Sequence, residues 1–171
     1  KIGVVFQNLK SQFFSTDVYA ELDFSMENAG IAPHLIRQRI KETAAQFAIA
    51  QLLSAGVFVL SGGEQQLVAL AAAAMLPHDV FLLDEPSSNL DDGALAKLVD
   101  ALIALKQQGK TIVIAEHRLA YLTGLADRYC LLDEGQIKKL YPANEILPFR
   151  TQFIHDLGLR QLHVPVDVNA G

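Results

Sequence analysis

Apolar positions along the chain fall into two textures, one on each side of Pro77. Before it they recur at three- and four-residue spacing, the period of an amphipathic helix. Val18, Leu22 and Met26 define a helix from about Asp17 to Asn28, with Gly30 as its C-terminal stop. Ile36, Ile40, Ala44 and Phe47 define a second, starting near Pro33, a residue suited to the first helical turn. A loop containing Gly56 leads into "VLSGGEQQ" (59–66) and a third helix running to about Met75. After Pro77 short apolar runs take over. "VFLLDEP" (80–86) and "TIVIAEH" (111–117) read as buried strands. Between them a helix carries Leu95, Leu98, Val99, Leu102 and Ile103 on one side. "DRYCLLD" and "GQIKKL" read as two further strands joined by the turn signal Glu134-Gly135. A short buried strand, "IGVVF" (2–6), and a polar loop (7–16) come before all of these.

This order implies an α/β core interrupted by a helical insertion. The expected division is 1–16 and 77–145 for the core, 17–76 for the insertion, and 146–171 for a tail without an assigned role. The chain opens directly on a strand without an initiator Met, which reads as a start in the middle of a fold.

Composition narrows the classes. With 171 residues, 51% of them hydrophobic, the chain can bury a sizeable core. A net charge of −5 argues against a broad nucleic-acid footprint. The single cysteine, Cys130, lies in an apolar run and is expected to be a buried structural thiol; it excludes a disulfide within the chain and suits a reducing cytosol. The longest apolar run, "LVALAAAAML" (67–76), is too short to span a bilayer.

Four stretches carry chemistry. In "LSGGEQQ", Ser61 and Glu64 form a capping box, and Gly62 and Gly63 allow close approach to a helix start whose free N–H groups suit phosphate. Alone, such a box is more often only a helix cap. "VFLLDEP" delivers Asp84 and Glu85 to the C-terminal end of a strand, the edge where α/β sheets bind ligands. Asp84 suits Mg²⁺ and Glu85 suits polarising a water, against the plain alternative of a solvated acidic strand end. His117 ends the next strand and is expected on the same edge, within reach of a γ-phosphate or the attacking water. Gln7 ends the first strand, where its amide can contact Mg²⁺ or position water. His34, His78, His155 and His163 have no such context and read as structural.

The Gly-Lys-Thr at 109–111 ends the phosphate-wrapping pattern GxxxxGK[ST], but Ala104 stands where its first glycine belongs. A helix precedes the triplet and a strand follows it, the reverse of a P-loop. Gly109 is read as a helix-ending glycine.

Taken together, Gln7, "LSGGEQQ", "VFLLDEP", "SNLD" and "AEHR" in this order resemble the ATP-binding cassette (ABC) ATPases over about residues 2–140. "QNLKSQFF" and "AEHRLAYLTGLADR" are similar to the energy-coupling-factor branch, which often carries Gln-Asn-x-x-x-Gln at the first site. The resemblance implies a RecA-like P-loop NTPase core, N-terminally incomplete because no Walker A is present. It implies a Q-loop at Gln7, the ABC signature at Leu60–Gln66, a Walker B strand at 80–85, a D-loop at Ser88–Asp91 and a switch histidine at His117. Glu85, His117 and Gln7 are then catalytic; Ser61, Gly62, Gly63, Glu64 and Asp91 contact nucleotide; Asp84 and Gln7 hold Mg²⁺. Leu67 departs from the arginine that many signature helices carry soon after the motif; Ala72, at the second such place, fits the energy-coupling branch. The implied function is ATP hydrolysis coupled to uptake of a vitamin or metal ion. The implied partners are a second cassette, head to tail, and transmembrane subunits at the cytoplasmic face of the membrane. The alternatives are a soluble ABC ATPase acting on DNA or ribosomes, and a non-catalytic docking or regulatory module.

Overall fold

The computed structural model describes residues 1–88 and 90–146; Asn89 of the expected D-loop and the tail from 147 onward lie outside them. The chain divides into two compact units, Lys1–Glu116 and His117–Gly171.

The first unit holds a parallel sheet in the order β1 (Ile2–Val5), β2 (Val80–Asp84), β3 (Thr111–Ala115). Between β1 and β2 every regular element is helical: α1 (Val18–Asn28), α2 (Pro33–Gln46), α3 (Gly62–Ala74) and short 3₁₀ turns. A single helix, α4 (Asp92–Gln107), links β2 to β3. The predicted helix limits hold because each end carries its own chemistry. The Asp17 side chain accepts the Ala20 N–H at the start of α1, and Gly30 (φ 70°) stops it. Pro33 opens α2, and Arg39 on that helix donates to the Ala74 carbonyl, an otherwise open acceptor at the end of α3. Ile36, Ile40, Ala44 and Phe47 are all buried, as their spacing predicts.

Two expectations need correction. The strands read as buried on both faces, yet among the described residues only one face of the sheet is covered. Val5, Phe81 and Leu83 are buried, and α3 and α4 pack against the sheet. On the other face Val4, Leu82 and Val113 stand side by side in register and are all exposed. An apolar run signals burial but cannot say how many faces are covered. On α4 the buried line is Leu98, Ala101, Leu102 and Leu105; Leu95 and Val99 are half-buried and Ile103 is exposed. Apolar residues occupy more than half of this helix's circumference, so packing against α3 and β3 decides which row is buried.

The second unit contains an antiparallel ribbon, β4 (Arg128–Asp133) and β5 (Gln136–Pro142), followed by α5 (Ala143–Ile146). Glu134 and Gly135 both have positive φ, 48° and 73°, the conformation a two-residue hairpin turn demands. Cys130 is exposed, contrary to the expected buried thiol. It alternates with half-buried Tyr129 and Leu131 and falls on the open side of the ribbon with Leu132 and Leu140. No helix among the described residues is long and apolar enough to cross a membrane.

Candidate functional site

The C-terminal end of β2 carries the acidic pair. Asp84 is in register with Ala115 at the last rung of the sheet and is exposed. Glu85 follows with φ 44°, a left-handed conformation that costs a non-glycine residue about 1–3 kcal/mol. Its N–H donates to the Ala115 carbonyl at 2.9 Å, which ties the turn to the end of β3. Two residues on, Ser87 is fully buried; its hydroxyl donates to Glu116 Oε2 at 2.6 Å and its N–H to the same oxygen at 3.3 Å. The Ser88 N–H closes the turn on the Glu85 carbonyl.

Gln7 reaches this turn from the end of β1: its Nε2 donates to Glu85 Oε2 at 2.6 Å. The loop that presents Gln7 is held at both ends. Gln12 stands in for a neighbouring strand, accepting the Phe6 N–H at 2.8 Å and donating to the Val4 carbonyl at 3.1 Å. Glu21, buried in the first turn of α1, accepts the Phe14 and Ser15 N–H groups at 2.9 and 2.8 Å.

A second centre lies at the start of α3. Ser61 caps the helix, and its hydroxyl and N–H both donate to Glu64 Oε2, at 2.8 and 2.9 Å. The hydroxyl, then the backbone N–H, hold the Glu64 carboxyl below its ordinary pKa, with a smaller contribution from Lys97. The two glycines differ. Gly62 faces open space, whereas a Cβ on Gly63 would sit 2.4 Å from that of Ala94. Gly63 is therefore a packing glycine that seats α3 against the start of α4, whereas Gly62 has open space where a side chain would stand. Asp91 caps α4 by accepting the Ala94 N–H at 2.7 Å. The two helix starts thus meet at Gly63 and Ala94.

The structure brings Gln7 to Glu85, and Ser61 to Glu64. His117, two residues beyond Ala115, is the first residue of the second unit. His78 is structural as expected, with Nδ1 2.8 Å from the Ala73 carbonyl and its ring edge-on to Phe81. Gly109 (φ 74°) ends α4, its N–H donating to the Lys106 carbonyl, and Thr111 begins β3 at the end of the sheet opposite Asp84. The Gly-Lys-Thr is a turn. Glu21, Ser87 and Glu116 went unmarked in the sequence; the one available signal was an acid beside His117 at a strand end. Gln12 was marked only as part of a pattern.

Among the described residues no three His, Cys, Asp or Glu side chains cluster as a metal cage. Asp84, with Glu85 and the Gln7 amide nearby in the chain's fold, offers oxygen donors only. That set fits Mg²⁺, which keeps several waters and shares phosphate oxygens.

A parallel sheet with two acids beyond a strand end, and a capped glycine pair opening a helix, is the architecture of the P-loop NTPase class of α/β domains. Within that class the ABC transporter family model matches residues 1–88, and the chain belongs to that family. An ABC transporter ATP-binding protein of Treponema denticola is 41% identical over 94% of this chain. One from Synechocystis is 33% identical over 88% of it. The chain spans 33% and 52% of those two relatives' lengths. Among solved structures, cbiO1 from Clostridium perfringens, part of the ABC transporter complex cbiONQ, superimposes with TM-score 0.79 at 28% identity, over 93% of this chain and 63% of that one. A metal-chelate type ABC transporter in an inward-facing conformation gives TM-score 0.72 at 26% identity, over 85% and 59%.

Proposed function

We propose that the chain is part of the ATP-hydrolysing subunit of an ABC importer of the energy-coupling-factor type, driving uptake of a vitamin or metal ion. The observation that carries this is the Gln7–Glu85 hydrogen bond beside Asp84 at the sheet's ligand-binding edge. Glu85 would take a proton from the attacking water, with Gln7 holding the carboxylate; His117, at the start of the second unit, is the proposed contact for the γ-phosphate. Asp84, with Gln7, would hold Mg²⁺, whose charge offsets that of the phosphates. Ser61, Gly62, Gly63 and Glu64, with Asp91, would face the nucleotide of a second cassette, head to tail. The Ser61 hydroxyl, donated to Glu64 in this structure, has to turn to reach a phosphate oxygen. Likeness to cbiO1 and to a metal-chelate transporter supports the importer branch.

Transmembrane partners would dock on the helical block, at the cytoplasmic face of the membrane. Phe14 is 75% exposed and stacks on Phe24 at 4.9 Å, and Phe58 and Val59 are exposed nearby in sequence to the signature. The sequence contains no GxxxxGK[ST], so the 171 residues alone are expected to show no MgATP turnover. In the natural protein assembled with its membrane partners, Glu85→Gln should lower turnover by roughly 10²–10⁴-fold while nucleotide stays bound. Unchanged turnover would remove Glu85 from the role of base. Co-purification with nucleic acid instead of membrane subunits would favour a soluble ABC ATPase.

A further inference from the structure

We propose that Glu116 is a positioning residue for Glu85, acting through Ser87; the inference rests on the ATPase reading above. Glu85 sits in a left-handed conformation that only Gly, and occasionally Asn or Asp, visits routinely. Such a conformation persists only when its surroundings fix it. Two ties run from the end of β3 to this turn. One is the Glu85 N–H to the Ala115 carbonyl. The other is Glu116, whose Oε2 takes both the hydroxyl and the N–H of Ser87. Ser87 is fully buried, and Pro86 between it and Glu85 is buried as well, with φ restricted by its ring. A fixed Ser87 therefore fixes the direction from which the chain leaves Glu85. The Ser87–Glu116 bond is charge-assisted and short, and partly shielded from water, which makes it a strong anchor.

The arrangement goes further than a structural tie between strands, because its far end is the reacting carboxylate. Gln7 holds that carboxylate by its tip, and Glu116 holds the backbone beneath it. Releasing the backbone moves Glu85 relative to the water it activates without touching the nucleotide. Loss of alignment of that kind acts on the chemical step and not on substrate binding.

The test compares ATP turnover of the natural protein, assembled with its membrane partners, with that of Glu116→Ala, Glu116→Gln and Ser87→Ala. Glu116→Ala is expected to lower kcat by roughly 10–100-fold with KM for ATP within about threefold. Glu116→Gln, which keeps an acceptor oxygen, should restore most of the rate. In a Glu85→Gln background Glu116→Ala should cost nothing more, since the group it positions is gone. Amide exchange at Ser87 and Ser88 should accelerate in Glu116→Ala. If that variant fails to fold, Ser87→Ala removes the same hydroxyl bond and should show the same kcat-only loss. A wild-type kcat in Glu116→Ala or Ser87→Ala, or an equal proportional loss with and without Glu85, overturns the inference. Wild-type protein without turnover, or full turnover in Glu85→Gln, overturns the ATPase reading and the inference with it.

Discussion

The adjacent glycines of the signature have separable jobs. A Cβ on Gly63 meets that of Ala94, which cannot swing aside, so Gly63→Ala should destabilise by about 1–3 kcal/mol, read as a lowered melting temperature. Ala94→Gly should return much of that loss. Gly62→Ala meets nothing and should leave stability equal or slightly raised, yet impair ATP hydrolysis in the assembled protein by crowding the backbone offered to phosphate. Equal stability losses at the two positions would contradict this division. Beside them, Glu64 gives the same helix start a pH dependence. Its folded pKa is held below the ordinary glutamate value by the Ser61 hydroxyl and then the Ser61 N–H. The unfolded state then binds the proton more readily, so this contribution is complete above the ordinary glutamate pKa and fades as pH falls through the lower folded value. Thermal melts of wild type and Glu64→Gln should differ near neutrality and converge in acid. Added salt should shrink the gap, because the group is only half-buried and solvent ions reach it.

The elements were legible to different degrees. Helix limits were readable where a cap residue, a proline or a glycine announces them locally; the end of α2 at Gln46, followed by Ala48 at positive φ, carries no such signal. Strand positions were readable from apolar runs, but not which faces are covered, so β1, β2 and β3 read as more buried than they are. Contacts across elements left no local signal. Gln7 and Glu85 are 78 residues apart, and Ser87 and Glu116 are 29 apart. Sequence could place each acid or amide at a strand end, where the fold predicts ligand chemistry, but not say which ones touch. The loop between β1 and α1 shows the same limit: Glu21 reads as an ordinary acid in a first helical turn, yet it accepts two loop N–H groups from a buried position. Hydrogen bonds to a charged acceptor contribute about 1.5–3 kcal/mol. Glu21→Ala should therefore lower stability by an amount of that order and speed amide exchange at Phe14 and Ser15. Because the same loop carries Gln7, turnover in the assembled protein should fall too, while Glu27→Ala, an exposed position further along α1, should alter neither.

At the scale of the whole molecule, the bare sheet face sets the physical demand. Parallel sheets bury both faces, because their crossovers lay helices on each side. Here Val4, Leu82 and Val113 form an apolar row across all three strands, with Ile2 57% and Val113 52% exposed. A row of this kind at the centre of a sheet is a surface that another element covers, and the chain spans only a third of the length of one relative and half that of another. We propose that this row is a contact surface for an element outside the described residues. Val→Thr substitution tests the cover directly, since it keeps shape and β-propensity but adds a hydroxyl. In the isolated 171-residue chain, Val4→Thr with Val113→Thr replaces exposed apolar surface, so aggregation and dye binding should fall with little change in stability. In the whole natural protein the same two hydroxyls would be buried without partners, and each should cost about 1–3 kcal/mol. A pair of variants that behaves alike in both settings would show that this face stays open to water.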